Sequence, residues 1–472
     1  MRVRPLFIAI LMMPAVVSGG APALAEGPRW TPLTGILLPD GESAAKTKKE
    51  STPPAETGST ERPTPPKTAE TAGIPTVRLS LKATLERTVT DGQPHDSLGV
   101  RTMAIDGDLA EALGDVQGAL VTDAASSTAK TAGLLTGDVI QKLDGRDIAG
   151  ADKLAEELRR LNPDQQVTVD VWRAGAGASD LKRLLVARAD EGNVAAAASL
   201  GRLLSLGLVL GPKNFSEAAT YYLKAADAGH LASMTRYALF AKDGIGIPKN
   251  EALAATWFRK AADGGQDAAM TNLGSLYETG RGVKQDFAEA ARWYRAAVDK
   301  GHVFAMHRLA LLYEAGRGVK KDDQEAVRLL RAASDKGLSE ATSWLAEKYE
   351  QGRGIPKDAD EANTLNARAA EQVRRAADQG NAVATFNLGI LYRIGKGVTK
   401  SDTEAAHWIV KSLRLGDKYL VSELMRNPNV LSEADRKWLQ EVLRDEGTYK
   451  GPINGTFTPE VRTAMEALAN SV

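Results

Sequence analysis

The sequence of 472 residues contains no cysteine and carries no net charge. Without cysteine the chain can form neither a disulfide framework nor a thiolate metal site, and it offers no acceptor for a bacterial lipid anchor. Lysine and arginine together number 60, as do aspartate and glutamate, so no net field favours a polyanion. Nucleic acid is therefore not an expected partner, because its binding depends mainly on an excess of basic residues.

Histidine is also scarce, with five residues in the chain. His302 and His307 are closest in sequence, but they stand five positions apart, whereas two ligands on one helical face stand four apart. We therefore expect no metal site, and no motif in the chain indicates a cofactor.

The amino terminus has the three parts of a secretory signal peptide. Arg2 and Arg4 precede an apolar run over residues 6–13, and small residues follow as far as Ala25. The apolar run is shorter than the roughly 20 residues that span a bilayer, and Pro14 interrupts it. We expect residues 1–25 to be a cleaved signal peptide and the mature chain to have no stable membrane insertion.

Residues 26–76 are rich in proline, threonine, serine, lysine and glutamate. Such a composition has too few large apolar side chains to offset the entropy lost on ordering. This segment is predicted to be a disordered linker.

Strict alternation of apolar and polar residues begins at Val77 and runs to Leu85, with the period of a half-buried strand. Further short apolar runs follow, separated by turn-forming residues, at 118–122, 138–143 and 166–172. A helix is predicted over 151–161, where three leucines share one face, Leu154, Leu158 and Leu161. These patterns predict a small β-rich domain over residues 77–190.

Residues 191–427 show an all-helical repeat instead. Successive units open at glycines 36 residues apart, namely Gly229, Gly265, Gly301 and Gly337. A fixed period of this length is typical of stacked helix pairs. The first helix of most units is followed by a G-x-G turn at residues 244–246, 280–282, 316–318, 352–354 and 395–397. Glycine permits the positive φ that reverses a chain after a helix, so we interpret these turns as helix caps and not as phosphate loops.

The segments GRGVKQDFAEAARWYRAA and GKGVTKSDTEAAHWIVKS resemble Sel-one-like repeats, relatives of the tetratricopeptide family. About six units are visible, and the fifth has seven extra residues, or two helical turns, that should lengthen its second helix. The resemblance implies an α-solenoid of antiparallel helix pairs, with an unidentified protein partner on its concave face.

The segment AGLLTGDVIQKLDG resembles a PDZ domain of the HtrA type. The resemblance implies that the loop Leu98-Gly99-Val100 takes a peptide carboxylate through its backbone N–H groups, and that the following strand, with Thr102, pairs with the ligand. Leu98, Val100, Leu154 and Leu158 would line the pocket for the ligand's last side chain, although each is equally well explained as core. Ser126-Ser127-Thr128 stands where the family usually has Gly-Ser-Pro. Protein C-termini or extended peptides are the expected partners.

Residues 432–472 resemble the small three-helix peptidoglycan-binding fold. Five positions that match the family are the candidates for wall binding, Tyr449, Gly451, Asn454, Gly455 and Phe457. Asn454 replaces the usual aspartate and Thr458 the usual glycine. The alternative is that this module only caps the solenoid, because solenoids need polar ends.

Together these segments predict a multi-domain, mainly α protein, with a helical solenoid, a small β-rich PDZ domain and a small C-terminal three-helix module. HtrA relatives carry a serine protease domain ahead of the PDZ domain, but here the linker holds that place and is too short for one. We therefore expect that the protein is not an enzyme. The leading hypothesis is a periplasmic scaffold or adaptor of a Gram-negative bacterium, associated with peptidoglycan. The alternative is a regulator of a periplasmic protease or envelope signalling receptor without wall attachment.

Overall fold

The computed structural model describes residues 74–85, 98–207, 209–416, 418–428, 431 and 433–469. The predicted signal peptide and nearly all of the predicted linker lie outside these residues. The chain divides into two compact units at the boundary between Gln266 and Asp267. Of the helices in the described part of the chain, none combines the length and the apolar composition of a membrane span.

The first unit contains one antiparallel sheet with the strand order β1-β6-β4-β3-β2, and β5 pairs with β4 outside this path. The strands are β1 (Thr76–Thr84), β2 (Arg101–Ala104), β3 (Ala119–Asp123), β4 (Val139–Leu143), β5 (Arg146–Asp147) and β6 (Gln166–Ala174). The alternating segment is β1, which pairs with β6 from Thr76 opposite Ala174 to Thr84 opposite Gln166. The other apolar runs form β3, β4 and β6. Short apolar runs bounded by turns are typical of strands whose two faces are both buried.

Helix α2 (Ser127–Ala132) contacts β1, and α3 (Ala151–Leu158) contacts β2 and β3. Helix α1 (Gly107–Ala112) contacts the later helix over Val194–Leu206. Helix α3 ends three residues before the predicted Leu161. Arg160 N–H donates to Glu157 O and Leu161 N–H to Leu158 O, so the chain tightens to i→i−3 bonds there. Pro163 follows and disfavours helical backbone at the residue before it.

Paired helices follow α4 (Ala178–Asp190). In the first unit they are α5 (Val194–Leu206), α6 (Phe215–Asp227), α7 (Leu231–Asp243) and α8 (Glu251–Asp263). In the second unit they are α9 (Asp267–Thr279), α10 (Phe287–Asp299), α11 (Val303–Ala315), α12 (Asp323–Asp335), α13 (Ser339–Gln351), α14 (Ala359–Asp378), α15 (Ala382–Ile394) and α16 (Asp402–Arg414). Helix α14 has 20 residues and the other paired helices have 13, which confirms that the extra residues lengthen the second helix of the fifth unit.

Short polar side chains start the second helix of every pair. Each accepts a hydrogen bond from a backbone N–H of the first turn, and they are Asn214, Asn250, Asp286, Asp322, Asp358 and Ser401. Recurring alanines of the second helices are almost fully buried, namely Ala254, Ala290, Ala326, Ala362 and Ala405. Small side chains at these positions allow the helices to approach closely.

The G-x-G turns have two separate roles. The first glycine of the turn at 316–318 ends α11 in the left-handed region, with φ +65° at Gly316. The second, Gly318, has φ +67°, and a Cβ atom there would lie 2.1 Å from the carbonyl carbon of Phe287. The first glycine caps the helix, and the second lets the turn touch the backbone of the preceding repeat.

The chain continues through α17 (Lys418–Arg426), α18 (Glu433–Asp445) and α19 (Pro459–Ala469). The described residues of the predicted C-terminal module, 433–469, contain two helices and not the expected three, and α17 lies in the range predicted for the solenoid. Apolar residues of these helices share one buried cluster with the last repeat, including Phe386, Ile409, Leu413, Leu424, Leu443, Val461 and Met465. The module is part of the hydrophobic core at this end of the second unit.

Candidate functional site

The edge strand β2 and helix α3 border the candidate peptide groove. Strand β2 is the last in the sheet order, and it pairs with β3 from Arg101 opposite Asp123 to Ala104 opposite Ala119. The register shifts between Arg101 and Thr102, which pair with Asp123 and Val121, so Thr122 of β3 has no residue opposite it on β2. Helix α3 contacts β2 and β3. This arrangement leaves one edge of β2 without a paired strand among the described residues.

The loop before β2 is packed tightly against the start of α2. Leu98 and Val100 are fully buried, and Gly99 between them has φ +71°. A Cβ atom at Gly99 would lie 2.1 Å from the hydroxyl oxygen of Ser126, so only glycine fits there. Ser126 itself caps α2 by accepting a hydrogen bond from Ala129 N–H at 3.0 Å. The departure from the family's Gly-Ser-Pro therefore supplies a helix cap that packs on the loop.

The four predicted pocket residues are brought together in one buried cluster. Leu98, Val100 and Leu154 are 0% exposed and Leu158 is 6% exposed, whereas Thr102 on β2 is half-buried. In this structure the four side chains are core, so a ligand's terminal side chain would have to displace contacts between α3 and the loop.

A carboxylate that the sequence analysis did not single out anchors α3. Glu157 is 4% exposed and lies 2.8 Å from each of three cations, the side chains of Lys153, Arg146 and Arg160. The hydrogen bonds from Lys153 and Arg146 lower the pKa of Glu157 to about 2. Because Arg146 belongs to β5, this cluster holds the helix against the sheet. The i, i+3 and i, i+4 spacing of Lys153, Glu157 and Arg160 was the available sequence signal.

The most specific motif of the segment, AGLLTGD, has a structural role. Asp138 is fully buried and accepts two hydrogen bonds at 2.6 Å from Arg173, on β6. It also accepts a hydrogen bond from Leu135 N–H at 2.9 Å. Gly137 has φ +96°, and a Cβ atom there would lie 2.8 Å from the backbone nitrogen of Ala178. The motif thus joins the β3–β4 connection to the last strand and to α4.

The sheet domain and the first repeats share one hydrophobic core. Trp172 of β6, Leu184 of α4 and Leu200 of α5 belong to the same buried cluster. The Arg188 guanidinium donates to the carbonyl oxygen of Ala112 at the end of α1. Buried residues on both sides of the predicted domain boundary at 190 and 191, such as Ala189 and Ala195, belong to this cluster.

Two ion pairs add to this junction. Arg202 of α5 lies 2.9 Å from Asp106, the residue that caps α1. His230 lies 3.4 Å from Asp108 of α1, and the hydrogen bond to that carboxylate raises the pKa of His230. The same histidine caps α7 by accepting a hydrogen bond from Ser233 N–H.

The five C-terminal candidates form a turn held from inside. Gln440, fully buried on α18, accepts hydrogen bonds from Asn454 N–H at 3.1 Å and Gly455 N–H at 2.7 Å. Tyr449 is 3% exposed and donates to Pro452 O at 3.0 Å. Gly455 is buried, Gly451 and Phe457 are half-buried, and only the Asn454 side chain is exposed. Buried Gln440 is the organising residue that the sequence analysis did not assign a role.

No group of three or more histidine, aspartate or glutamate side chains in the described part of the chain could hold a metal ion. The recurring buried charges of the repeats are paired instead. Arg308, 2% exposed, lies 2.5 Å from Glu278, which also accepts a hydrogen bond from the Tyr294 hydroxyl at 2.7 Å. One repeat later Lys348 lies 2.5 Å from Glu314.

Comparison with known families assigns the two main parts of the chain. Six segments match the Sel1 repeat, at residues 194–230, 231–266, 267–302, 303–338, 339–372 and 382–417. Residues 96–181 match the PDZ domain. The chain therefore contains six Sel1 repeats and a PDZ domain, as the resemblances predicted, and the fold is mainly helical with a small antiparallel sheet.

Two curated relatives are similar to short stretches of the chain. A probable periplasmic serine endoprotease DegP-like of Bartonella henselae is 32% identical over 80 residues, which are 16% of this chain and 16% of the relative. The protein of the same name from Rhizobium meliloti is 31% identical over 108 residues, 21% of each chain. The chain thus spans about a sixth to a fifth of the length of these relatives.

Two solved structures are also similar. A Sel1 repeat protein from Oxalobacter formigenes is 32% identical, with a TM-score of 0.41, and the match covers 50% of this chain and 92% of that one. A protective antigen of uropathogenic Escherichia coli with an SLR fold is 25% identical, with a TM-score of 0.39, and the match covers 58% of this chain and 65% of that one.

Proposed function

From a chain that carries six Sel1 repeats and one PDZ domain, we propose a non-catalytic periplasmic adaptor that holds protein partners together. The observation that carries the proposal is the edge of β2, which lies beside α3 and has no paired strand among the described residues. An extended peptide adds to such an edge through main-chain hydrogen bonds, and alternate side chains give specificity. The shared core at Trp172 and Leu184 would then fix the captured partner relative to the first repeats.

The peptide is proposed to end in a free carboxylate and an apolar side chain. The carboxylate would receive N–H groups of the loop at 98–100, and the apolar side chain would enter between Leu154 and Leu158. Binding would have to open this buried cluster, so we expect moderate affinity, because part of the binding energy is used to separate packed side chains.

The test is a titration of fluorescent peptides with apolar C-termini against the full chain. Amidating the peptide should weaken binding roughly tenfold or more, since charge-assisted hydrogen bonds contribute on the order of 1.5 to 3 kcal/mol. Leu158→Asp should weaken binding similarly, by placing a charge among apolar side chains. The matched control is Leu135→Asp, at a leucine that is 38% exposed in the same domain. Equal binding of acid and amide, or no binding of either, would make the PDZ domain a spacer.

Association with peptidoglycan is proposed through the turn at residues 451–455, whose exposed positions include Asn454. Deleting the module is a poor test, because its helices share a core with α15 and α16. The better measurement is pelleting of the full chain with purified sacculi, compared with Asn454→Lys. If the full chain stays in the supernatant, the module serves only as a cap.

A regulator of a periplasmic protease is the second candidate. The observation that favours it is the similarity of the PDZ region to two probable periplasmic serine endoproteases. Sacculus pelleting without any protease effect supports the adaptor, whereas a changed rate of substrate cleavage by a purified periplasmic protease of this type supports the regulator.

A further inference from the structure

Three arginine–tyrosine pairs recur at the same place in successive repeats of the second unit. In each pair an arginine near the end of a second helix donates to the hydroxyl of a tyrosine in the next first helix. The pairs are Arg295 with Tyr313 at 3.0 Å, Arg331 with Tyr349 at 3.0 Å, and Arg374 with Tyr392. The two residues of every pair are separated by 18 positions.

The three arginines, which we name the arginine ladder, differ in charge pairing from arginines on the same helices. Arg292, Arg328 and Arg375 each form an ion pair with a glutamate three or four positions earlier. The arginine ladder forms no ion pair within the described residues, and its polar partners are the tyrosine hydroxyls. Their guanidinium groups therefore have no carboxylate of the described residues at ion-pairing distance and can accept one from a ligand.

Each ladder arginine is also held in place. A guanidinium has five N–H donors, so one hydrogen bond to a tyrosine leaves most of them available. Fixing a long side chain in advance lowers the entropy lost when it binds a second group. Arg374 is further restrained because it lies 5.7 Å from the centres of the Tyr392 and Trp408 rings. Arg295 and Arg331 are exposed.

The pairing is retained where the repeat length changes. Helix α14 has 20 residues where α12 has 13, yet Arg374 stands four residues before the end of its helix, as Arg331 does. The extra turns precede the arginine, so the contact with the next tyrosine keeps its spacing of 18. The ladder is thus one rung per repeat in three successive repeats.

We propose that the arginine ladder docks an extended, acidic segment of a partner protein. Planar guanidinium groups recognise carboxylates through paired N–H donors. Successive rungs lie on alternate helices, so one to two interhelical distances of about 8 to 10 Å separate them. An extended chain advances about 3.3 Å per residue, so acidic side chains spaced roughly three to six residues apart would reach successive rungs. This inference rests on the proposed adaptor role only in taking the partner to be a protein, and it does not involve the PDZ groove.

The probe is a fluorescent decaglutamate peptide with an amidated C-terminus, titrated against the full chain at low salt. Amidation removes the carboxylate that the PDZ domain is proposed to bind, so failure at one site does not imply failure at the other. The peptide should bind, and more weakly as sodium chloride is raised, because exposed charges are screened by salt. Absence of binding would overturn the proposal.

The decisive variant is Arg295→Gln with Arg331→Gln, and its matched control is Arg292→Gln with Arg328→Gln. Both double variants remove two positive charges from exposed positions of α10 and α12. The ladder variant should weaken binding roughly tenfold and the control less than threefold, because Arg292 and Arg328 are already paired with glutamates whereas Arg295 and Arg331 form no ion pair within the described residues. Equal losses would mean a general charge effect and would overturn the proposal.

The triple variant that adds Arg374→Gln should weaken binding further. Far-ultraviolet circular dichroism and the melting temperature verify that the triple variant folds. If the triple variant does not fold, the double variant still tests the proposal. An oligothymidylate of ten nucleotides should bind less tightly than decaglutamate. Tighter binding of the oligonucleotide, lost in the ladder variant, would replace the acidic protein segment with a nucleic acid and so overturn the assignment.

Discussion

The second glycine of a G-x-G turn provides the sharpest test of how the repeats pack. Gly318→Ala introduces a Cβ atom 2.1 Å from the carbonyl carbon of Phe287 and 2.4 Å from the nitrogen of Ala288. These are backbone atoms at the start of α10, so they cannot move away by a change of rotamer as a flexible side chain could. The turn must move away from α10, or α10 must lose its first turn.

The magnitude has two parts. Placing alanine in the left-handed region costs about 1 to 2 kcal/mol, and overpacking against a fixed backbone costs about 1 to 3 kcal/mol. Gly337→Ala isolates the first part, because Gly337 has φ +93° and nothing within 4 Å of its Cβ position. We expect Gly318→Ala to destabilise the second unit by about 2 to 5 kcal/mol and Gly337→Ala by about 1 to 2 kcal/mol.

The assay is urea unfolding of both variants and of the unmodified chain, followed by circular dichroism at 222 nm. Gly354→Ala repeats the test one unit later, where the added Cβ atom would lie 2.2 Å from the carbonyl oxygen of Asp323. If Gly318→Ala and Gly337→Ala shift the midpoint equally, the close approach between turn and helix does not contribute, and the explanation of the second glycine is wrong.

Three further predictions concern packing and pH. Ala290→Leu, at a fully buried position of α10, should cost about 1 to 3 kcal/mol in urea unfolding, whereas Ala288→Leu, exposed on the same helix, should have little effect. Leu184→Ala should cost about 2 to 5 kcal/mol and speed hydrogen exchange in both β6 and α5, and faster exchange in only one of them would contradict a shared core. Burial lowers the pKa of His307 to about 3, so the folded state binds fewer protons than the unfolded state below pH 6.5, and stability is lost as the pH falls from there. His307→Gln should flatten this loss by up to about 1.4 kcal/mol per pH unit, measured as urea midpoints at pH 7.5 and pH 5.

Local physics made much of the fold readable from the sequence. The glycine turns and the alternation from Val77 depend on neighbours a few positions away, and the period of 36 residues repeats such a local pattern. These features therefore predicted the helix pairs and β1 correctly. The end of α3 was predicted three residues too late, because the helical spacing of leucines continues through Leu161. Pro163 lies beyond that spacing and disfavours helical backbone at the residue before it.

Only the tertiary structure decided how the parts join and which candidate residues are core. Trp172 lies in a strand pattern and Leu184 in a helix pattern, and each pattern is explained by its own segment. Neither pattern shows that both side chains enter the core of the first repeats. Burial of Leu98 and Leu154 depends on contact between a loop and a helix about 50 residues apart in sequence, and the C-terminal turn depends on Gln440 beneath it. Contacts of this kind depend on how segments that are distant in sequence pack against one another in space. Composition and spacing describe each segment alone and so do not predict them.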